Sequence, residues 1–410
     1  MAEENELAEW FERVSGPEWL WYVKYLSAND TYAKENVHQG GPYVAKEVLR
    51  VVFPRLSERA EREENPDLFF DAIIDSHDDY RTTLRLVWYN SRRRGQPNGR
   101  DEARLTRWGA TDAPVVAADA TGALVVFAYH RVGHGDADGL HVWVARNSEE
   151  HDRIVDRVGP VEPGVGLVLT STGVVVSGAL VALDRPCALT SETMPASWRE
   201  SFPSGEEIVA RVIEGLPHAR ELDVDARLMR RRQCEYEMFR SVEELHVLPR
   251  LQRPFTTVEG FLEYAHAVTN RRKSRSGRSL ELQLAGIFRE EELPFSHGEY
   301  TEGRRKPDFI FPSIERYWDG NRRDDQLRML AAKTTVKDRW RQILNEARRV
   351  EVKHLLTLQE GVSEEQFREM EQEGVVLVVP LPIQKRYPKK IQHRLLSLAS
   401  FMDETRSACR

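Results

Sequence analysis

Cysteine is scarce: Cys187, Cys234 and Cys409 are three in 410 residues, far apart and odd in number. That excludes a disulfide framework and offers no zinc-ligand spacing, so all three are expected as reduced thiols. Long apolar runs are missing too. None approaches the roughly 18 residues of a membrane-crossing helix, and Met1-Ala2-Glu3-Glu4-Asn5-Glu6 is acidic without an apolar signal segment. The expected compartment is the cytoplasm, with no membrane partner. An excess of positive charge is also absent, the net charge being -7. This does not exclude a nucleic-acid partner, because DNA meets local patches and not the average surface. What remains is an ordinary globular composition, 40% hydrophobic and 30% charged, long enough for two sizeable cores.

The basic residues are clustered. Between Tyr80 and Trp108 there are eight arginines, Arg81, Arg85, Arg92, Arg93, Arg94, Arg100, Arg104 and Arg107, against two acids. Arg271-Arg272-Lys273-Ser274-Arg275-Ser276-Gly277-Arg278 holds five basic residues in eight, and Arg230-Arg231-Arg232 and Arg304-Arg305-Lys306 are smaller clusters. A single charge run is usually a solvated face; four of them are expected to track phosphate.

The first half, to residue 183, is rich in short β-branched and aromatic runs such as Leu124 to Tyr129, Leu140 to Ala145, Gly166 to Thr170 and Gly173 to Ser177, separated by Gly, Asp and Asn turns. Two helices are predicted before them, Ala8 to Tyr25 and Gly41 to Val52. This reads as a small β-barrel or sandwich that serves as a binding module over residues 1–183. Residues 184–204, with Pro186, Pro195 and Pro203, read as a linker. Over 205–410 helical segments come first, among them Thr257 to Thr269 and Gly277 to Glu292. Strands then alternate with helices, which implies an α/β fold with a mixed central sheet.

Within that half lies a set of residues suited to phosphodiester hydrolysis. Asp308 follows Lys306-Pro307 and opens the strand-like Phe309-Ile310-Phe311; Lys333 closes the strand-like stretch from Leu327. From Lys337 to Val352 the apolar residues Trp340, Ile343, Leu344, Ala347 and Val350 recur at helical steps, which places Arg339 and Glu346 on one face about 10 Å apart. Two carboxylates, Asp308 and Glu346, can hold a hydrated Mg²⁺ that polarises phosphate and activates water. Lys333 would stabilise the charge that develops. Lys-Pro-Asp is also a common turn, and Lys337, Asp338 and Arg339 either read bases or only start a helix.

The chain resembles the EcoRII-type (type IIE) restriction endonucleases over nearly its whole length. The resemblance is carried by Leu26-Ser27-Ala28-Asn29-Asp30-Thr31, Thr106-Arg107-Trp108-Gly109, Val242-Glu243-Glu244-Leu245-His246-Val247-Leu248, Asn270-Arg271-Arg272-Lys273-Ser274-Arg275, Lys333-Thr334-Thr335 and the run from Lys337 to Glu346. It implies an N-terminal, mainly β pseudobarrel like the plant B3 DNA-binding domain, and a C-terminal α/β PD-(D/E)XK core. It also implies a homodimer that cuts double-stranded DNA at CCWGG with Mg²⁺, stimulated by a second site on the effector domain and otherwise autoinhibited. Such an enzyme is paired with a cognate cytosine methyltransferase.

Carried over by position, the resemblance makes Asp308, Lys333 and Glu346 catalytic, with Ala331 where the commoner motif has its second acid and Glu281 in support. Lys337, Asp338 and Arg339 become base-reading residues, since Arg and Lys donate to guanine and Asp accepts from cytosine. Arg232 and Tyr236 become the pocket for a flipped central base. His38, Tyr43, Arg92, Arg100, Glu102 and Arg104 become effector-site contacts. The loop after Arg92 carries an extra residue or two, and Asn98 and Ala103 stand where the family has lysines. Two alternatives stay open: a DNA-binding protein or repressor that has lost the chemistry, and a repair nuclease that reads DNA structure.

Overall fold

The strand Trp19–Tyr25 (β1) carries two apolar faces, and the first sheet is built around both. In this computed structural model Leu20 and Tyr22 enter one core, while Trp21, Val23 and Tyr25 enter a second. The neighbouring strand Leu124–His130 (β6) does the same, with Val125, Phe127 and Tyr129 on one side and Leu124, Val126 and Ala128 on the other. Side chains alternate along a strand, so each of these strands fills both layers. Residues 2–33, 41–96, 98–158, 161, 166–170, 186–320, 323–336 and 339–409 are described. They fall into two units: Met1–Leu183 with Glu360–Phe367 and Arg386–Ile391, and Asp184–Gln359 with Arg368–Lys385 and Gln392–Arg410.

In the first unit eight strands form one sheet, in the order β2-β5-β4-β3-β7-β6-β1-β8. The others are Tyr43–Val44 (β2), Asp67–Ile74 (β3), Tyr80–Tyr89 (β4), Glu102–Thr106 (β5), Gly139–Val144 (β7) and Leu167–Thr170 (β8). Among the described residues only β3 and β7 of this sheet pair in parallel. Helices Lys46–Val52 (α2) and Pro54–Ala60 (α3) supply Val48, Leu49, Val52 and Leu56 to one core. Helices Ala2–Arg13 (α1) and Ser148–Val158 (α4) supply Leu7, Trp10, Phe11, Ile154 and Val158 to the other.

The helix predicted from Ala8 to Tyr25 is a correction. Helix α1 stops at Arg13, because Gly16 takes φ +139° and Pro17 follows it, and the aromatic run beyond is β1. The run Gly173 to Ser177 lies outside the described residues.

In the second unit the sheet order is β13-β12-β11-β10-β9. Arg328–Lys333 (β11), Lys353–Thr357 (β12) and Val375–Val378 (β13) run parallel; Phe309–Phe311 (β10) and Ser296–His297 (β9) are antiparallel to their neighbours. The sheet is therefore mixed. Helices Ala196–Glu200 (α5), Gly205–Gly215 (α6), Val224–Leu251 (α7) and Val258–Glu290 (α8) precede it. Phe288 of α8 meets Phe309 and Phe311 edge-on at 5.2 and 5.3 Å, which seats the helix on β10.

Two helices predicted at Thr257–Thr269 and Gly277–Glu292 are one, α8. Ion pairs from Arg272 to Glu243 and from Arg275 to Glu235 tie α8 to α7, and Arg278 reaches Glu206 of α6. These contacts override the cost of about 1 kcal/mol for a glycine within a helix.

Residues 186–204, expected as a linker, pack into this unit: Cys187, Met194 and Trp198 join Phe239 and Val242 in a core cluster. Cys187 and Cys234 are paired as a disulfide, contrary to the expectation of three thiols; Cys409 is outside any disulfide. Among the described residues no helix is long and apolar enough to cross a membrane.

The helix predicted from Lys337 to Val352 is also corrected. Only a 3-10 run, Arg339–Asn345, forms, and Ala347 turns to φ +46°. The carbonyls of Glu346 and Ala347 accept from the Lys353 ammonium at 2.7 and 2.8 Å, and that of Val350 accepts from it as well. One buried cation thus does the work that further helical hydrogen bonds would do. Lys353→Met should therefore lower stability by about 3 kcal/mol, since it leaves three buried acceptors unsatisfied. Urea unfolding measures this, and a loss under about 1 kcal/mol would show that water replaces the ammonium.

Candidate active site and DNA-contacting residues

Asp308 stands at the start of β10, where the antiparallel partner β11 delivers two donors to one carboxylate oxygen. Its Oδ2 accepts from the Ala332 amide at 2.7 Å and from Lys333 Nζ at 3.0 Å. Its carbonyl accepts from the Gly298 amide at 2.9 Å. Burial pushes the Asp308 carboxyl above its ordinary range, and the charge of Glu281 adds to this, while Lys333 opposes it. Ala331, at the position of the missing second acid, is fully buried and apolar.

Glu346 directly follows the 3-10 run, its carbonyl anchored by Lys353. Its carboxyl is raised to about 7, first by burial and then by the charge of Asp308, with Lys333, Lys353 and Arg305 acting against the shift. Oε2 is buried and has no hydrogen-bond donor among the described residues. A buried carboxylate oxygen left unpaired beside a second carboxylate is the donor set a hard divalent cation requires. Among the described residues no three acidic, histidine or cysteine side chains meet at one point. Two carboxylates suit Mg²⁺, which keeps several waters as its remaining ligands.

Glu281, on α8, faces the same place: its charge acts on Asp308, and its Oε2 lies 3.1 Å from His297 Nε2. Sequence reading missed three participants, His297, Arg305 and Lys353. Arg305 sat inside a noted basic cluster; the other two carried no signal, because a strand histidine and a strand lysine have bland local patterns.

The other predicted residues divide. Lys337 and Asp338 lie outside the described residues; Arg339 is half-buried at the start of the 3-10 run. Arg232 and Tyr236 do share one face of α7, but Arg232 is buried and turned inward, donating to Ser279 Oγ at 2.6 Å and lying 3.5 Å from Glu235. Arg275 pairs with the same Glu235 and sits 5.1 Å from the Tyr236 ring. In this state Arg232 is thus engaged by Glu235 and Ser279.

In the first unit β2 and β5 pair so that Tyr43 lies opposite Arg104, whose guanidinium is 3.8 Å from the Tyr43 ring centre and donates to its hydroxyl. Glu102, two residues before on the same strand face, lies 3.4 Å from Arg104. Burial raises the Glu102 carboxyl, and Arg100 and Arg92 are near enough to oppose that. The turn between β4 and β5 explains their proximity, since the Arg92 amide donates to the Arg100 carbonyl at 3.0 Å. His38 lies outside the described residues.

Two lysines beside this group had not been singled out: Lys46 pairs with Asp101, and Lys24 with the fully buried Asp30. Asp30 also accepts from the Ser27 and Tyr43 amides, so it fixes the strand that carries Tyr43.

The expectation that all four basic clusters track phosphate needs correction. Arg231 is bound to Glu290, Arg232 to Glu235, Arg272 to Glu243, Arg275 to Glu235 and Arg278 to Glu206, while Arg271 covers the Phe202 ring at 4.1 Å. The buried Arg231, Arg232 and Arg275 are held by carboxylates because an unpaired buried charge costs too much, while the Arg278–Glu206 pair lies at the surface. Arg92, Arg94 and Arg304 remain on the surface.

The raised Glu346 carboxyl gives a signed expectation for the metal-free protein. A folded-state value above the ordinary one contributes stability at low pH, and this is lost as pH rises through about 7. Glu346→Gln removes a charge that must form in a desolvated site, so it should raise the melting temperature at pH 8 and change it little at pH 5. Equal effects at both pH values would mean that the carboxylate is solvated.

A family pattern described as "EcoRII C terminal" matches residues 239–402, and one described as "Restriction endonuclease EcoRII, N-terminal" matches residues 15–173. The type II restriction enzyme EcoRII of Escherichia coli is 40% identical over 397 residues, 96% of this chain and 96% of that protein. Similar solved structures include metal-depleted Ecl18kI with uncleaved, modified DNA, at 17% identity and a TM-score of 0.42, covering 52% of this chain and 81% of that one. The PspGI–substrate DNA complex is another, at 15% and 0.42, covering 54% and 98%. Matched in both halves by one family and along nearly its whole length by one relative, the chain belongs to the EcoRII family of type II restriction enzymes.

Proposed function

We propose that this chain is a site-specific deoxyribonuclease that hydrolyses double-stranded DNA at CCWGG-like sites with Mg²⁺, as a homodimer whose cleavage is stimulated by a second copy of the site. The observation that carries the chemistry is the buried, unpartnered Oε2 of Glu346 next to the Asp308 carboxylate. Asp308 and Glu346 hold the cation, which when bound polarises the scissile phosphate and lowers the pKa of a water. Lys333, already oriented by Asp308 at 3.0 Å, presents its ammonium to the developing negative charge. Because β10 and β11 hold both groups by backbone pairing, little reorganisation is needed when substrate arrives.

Recognition in this reading falls to Lys337, Asp338 and Arg339, which precede Glu346 by fewer than ten residues in the chain, so that base contact and phosphate contact come from one short stretch of sequence. Arg232 and Tyr236 hold an extruded central base. For that, Arg232 must exchange Glu235 and Ser279 for the base, which gives flipping a cost of a few kcal/mol beyond unstacking. The first unit is a B3-like effector domain whose Tyr43, Arg92, Arg100, Glu102 and Arg104, with His38, take the second DNA site, and it restrains the nuclease until that site is filled. The protein acts in the cytoplasm beside a cognate cytosine methyltransferase.

The test is Mg²⁺-dependent cleavage of two plasmids, one with a single CCWGG site and one with several, at equal site concentration. Efficient cutting of the multi-site plasmid alone is expected; equal cutting of both would remove the effector role, and no cutting of either would remove the recognition sequence or the chemistry. Lys333→Ala should bind a CCWGG duplex in a gel-shift assay and fail to cut it. Loss of binding together with cutting would make Lys333 a structural residue.

A further inference from the structure

The edge strand β9 touches the candidate site twice, and only one of those contacts belongs to ordinary strand pairing. The Gly298 amide holds the Asp308 carbonyl at 2.9 Å. One residue earlier His297, in register with Phe309, stacks its ring on the Phe309 ring at 4.9 Å and 16° and sets Nε2 3.1 Å from Glu281 Oε2. An ionised carboxylate only accepts, so Nε2 carries the hydrogen and donates it.

Glu281 needs such a partner. It projects from α8 with about a quarter of its side chain exposed, and it stands close enough to Asp308 for the two charges to act on each other. Like charges repel, and fixing a glutamate side chain costs about 1.5 kcal/mol of rotamer freedom. A free Glu281 would therefore turn to water. The Phe309 stack fixes the imidazole plane and the edge strand fixes its backbone, so the donor points at one place.

We propose that His297 is a positioning residue that fixes the Glu281 carboxylate on the side of Asp308, from where Glu281 bears on the divalent cation through a coordinated water and not as a third direct ligand. This rests on the reading of Asp308 and Glu346 as the cation site. Partners that orient a metal-binding carboxylate typically change metal affinity when removed.

The test is Mn²⁺ titrated into the full chain, read from the loss of the free-ion electron paramagnetic resonance signal, alongside the Mg²⁺ concentration for half-maximal cleavage. His297→Phe keeps the ring and removes the donor; it should weaken Mn²⁺ binding by about tenfold or more, and His297→Gln, whose amide still donates, should stay within about threefold of the native chain. Combined with Glu281→Gln, His297→Phe should add nothing, because both changes break one contact.

Native Mn²⁺ affinity in His297→Phe, or additive losses in the double variant, would overturn the proposal. Asp308→Ala separates the two readings. If it binds Mn²⁺ like the native chain, the cation site itself is wrong and this proposal falls with it; if it loses Mn²⁺ while His297→Phe does not, only the role of His297 falls. Should His297→Phe fail to fold, Glu281→Gln decides alone: a loss of affinity supports the proposal and native affinity overturns it.

Discussion

Everything in the second unit answers to one electrostatic constraint, the desolvated negative charge shared by Asp308 and Glu346. Burial raises both carboxyls; the charge of Asp308 adds to the shift at Glu346 and that of Glu281 to the shift at Asp308, while Lys333 at both, and Lys353 and Arg305 at Glu346, only partly offset this. Such a pair is not stabilising in the metal-free protein and must be imposed by the rest of the fold. The imposition is visible in the backbone: Asp308 is pinned from one side by Gly298 and from the other by Ala332, and Glu346 by the Lys353 ammonium beneath its own carbonyl. What the fold holds in place is a deficit of positive charge, which a divalent cation would fill.

The same physics sorts the arginines. Those on the helices α7 and α8 are matched one by one with glutamates and join the two helices. In the β4–β5 turn Arg93 is paired with Glu61 and Asp101, but Arg92 is held by the Gly99 carbonyl and Arg100 lies 5.4 Å from the Tyr89 ring. Identical residue types thus cement one unit and are available to a polyanion in the other. Composition and net charge cannot distinguish these uses, since both kinds count as one positive charge.

Much of the architecture could be read without coordinates where the physics is local. The period-two runs at β6 and β7 and the buried strand β13 follow from alternation and apolarity; helix α6 follows from its spacing and from the capping box of Ser204 and Glu207. The failures fall where a distant residue decides. The apolar spacing from Trp340 to Val350 is helical, but Lys353 from the next strand takes the terminal carbonyls and the segment winds as a short 3-10 run. The aromatic run of β1 looked like a continuation of α1 because its amphipathic signal is lost when both faces of a strand are buried.

By itself the sequence determined the presence of two folding halves, the alternating strands and helices of the second, and the chemistry-bearing side chains Asp308, Lys333 and Glu346 in their order. These follow from periodicity, turn residues and motif spacing, all properties of neighbours along the chain. Only the tertiary structure decided that Glu346 is desolvated beside Asp308, that Glu281 arrives from α8 under the hold of His297, and that Arg232 is occupied by Glu235 and Ser279. The reason is physical: solvation and electrostatic coupling depend on distance in space, and the strand pairing and helix packing that set those distances join residues far apart in sequence.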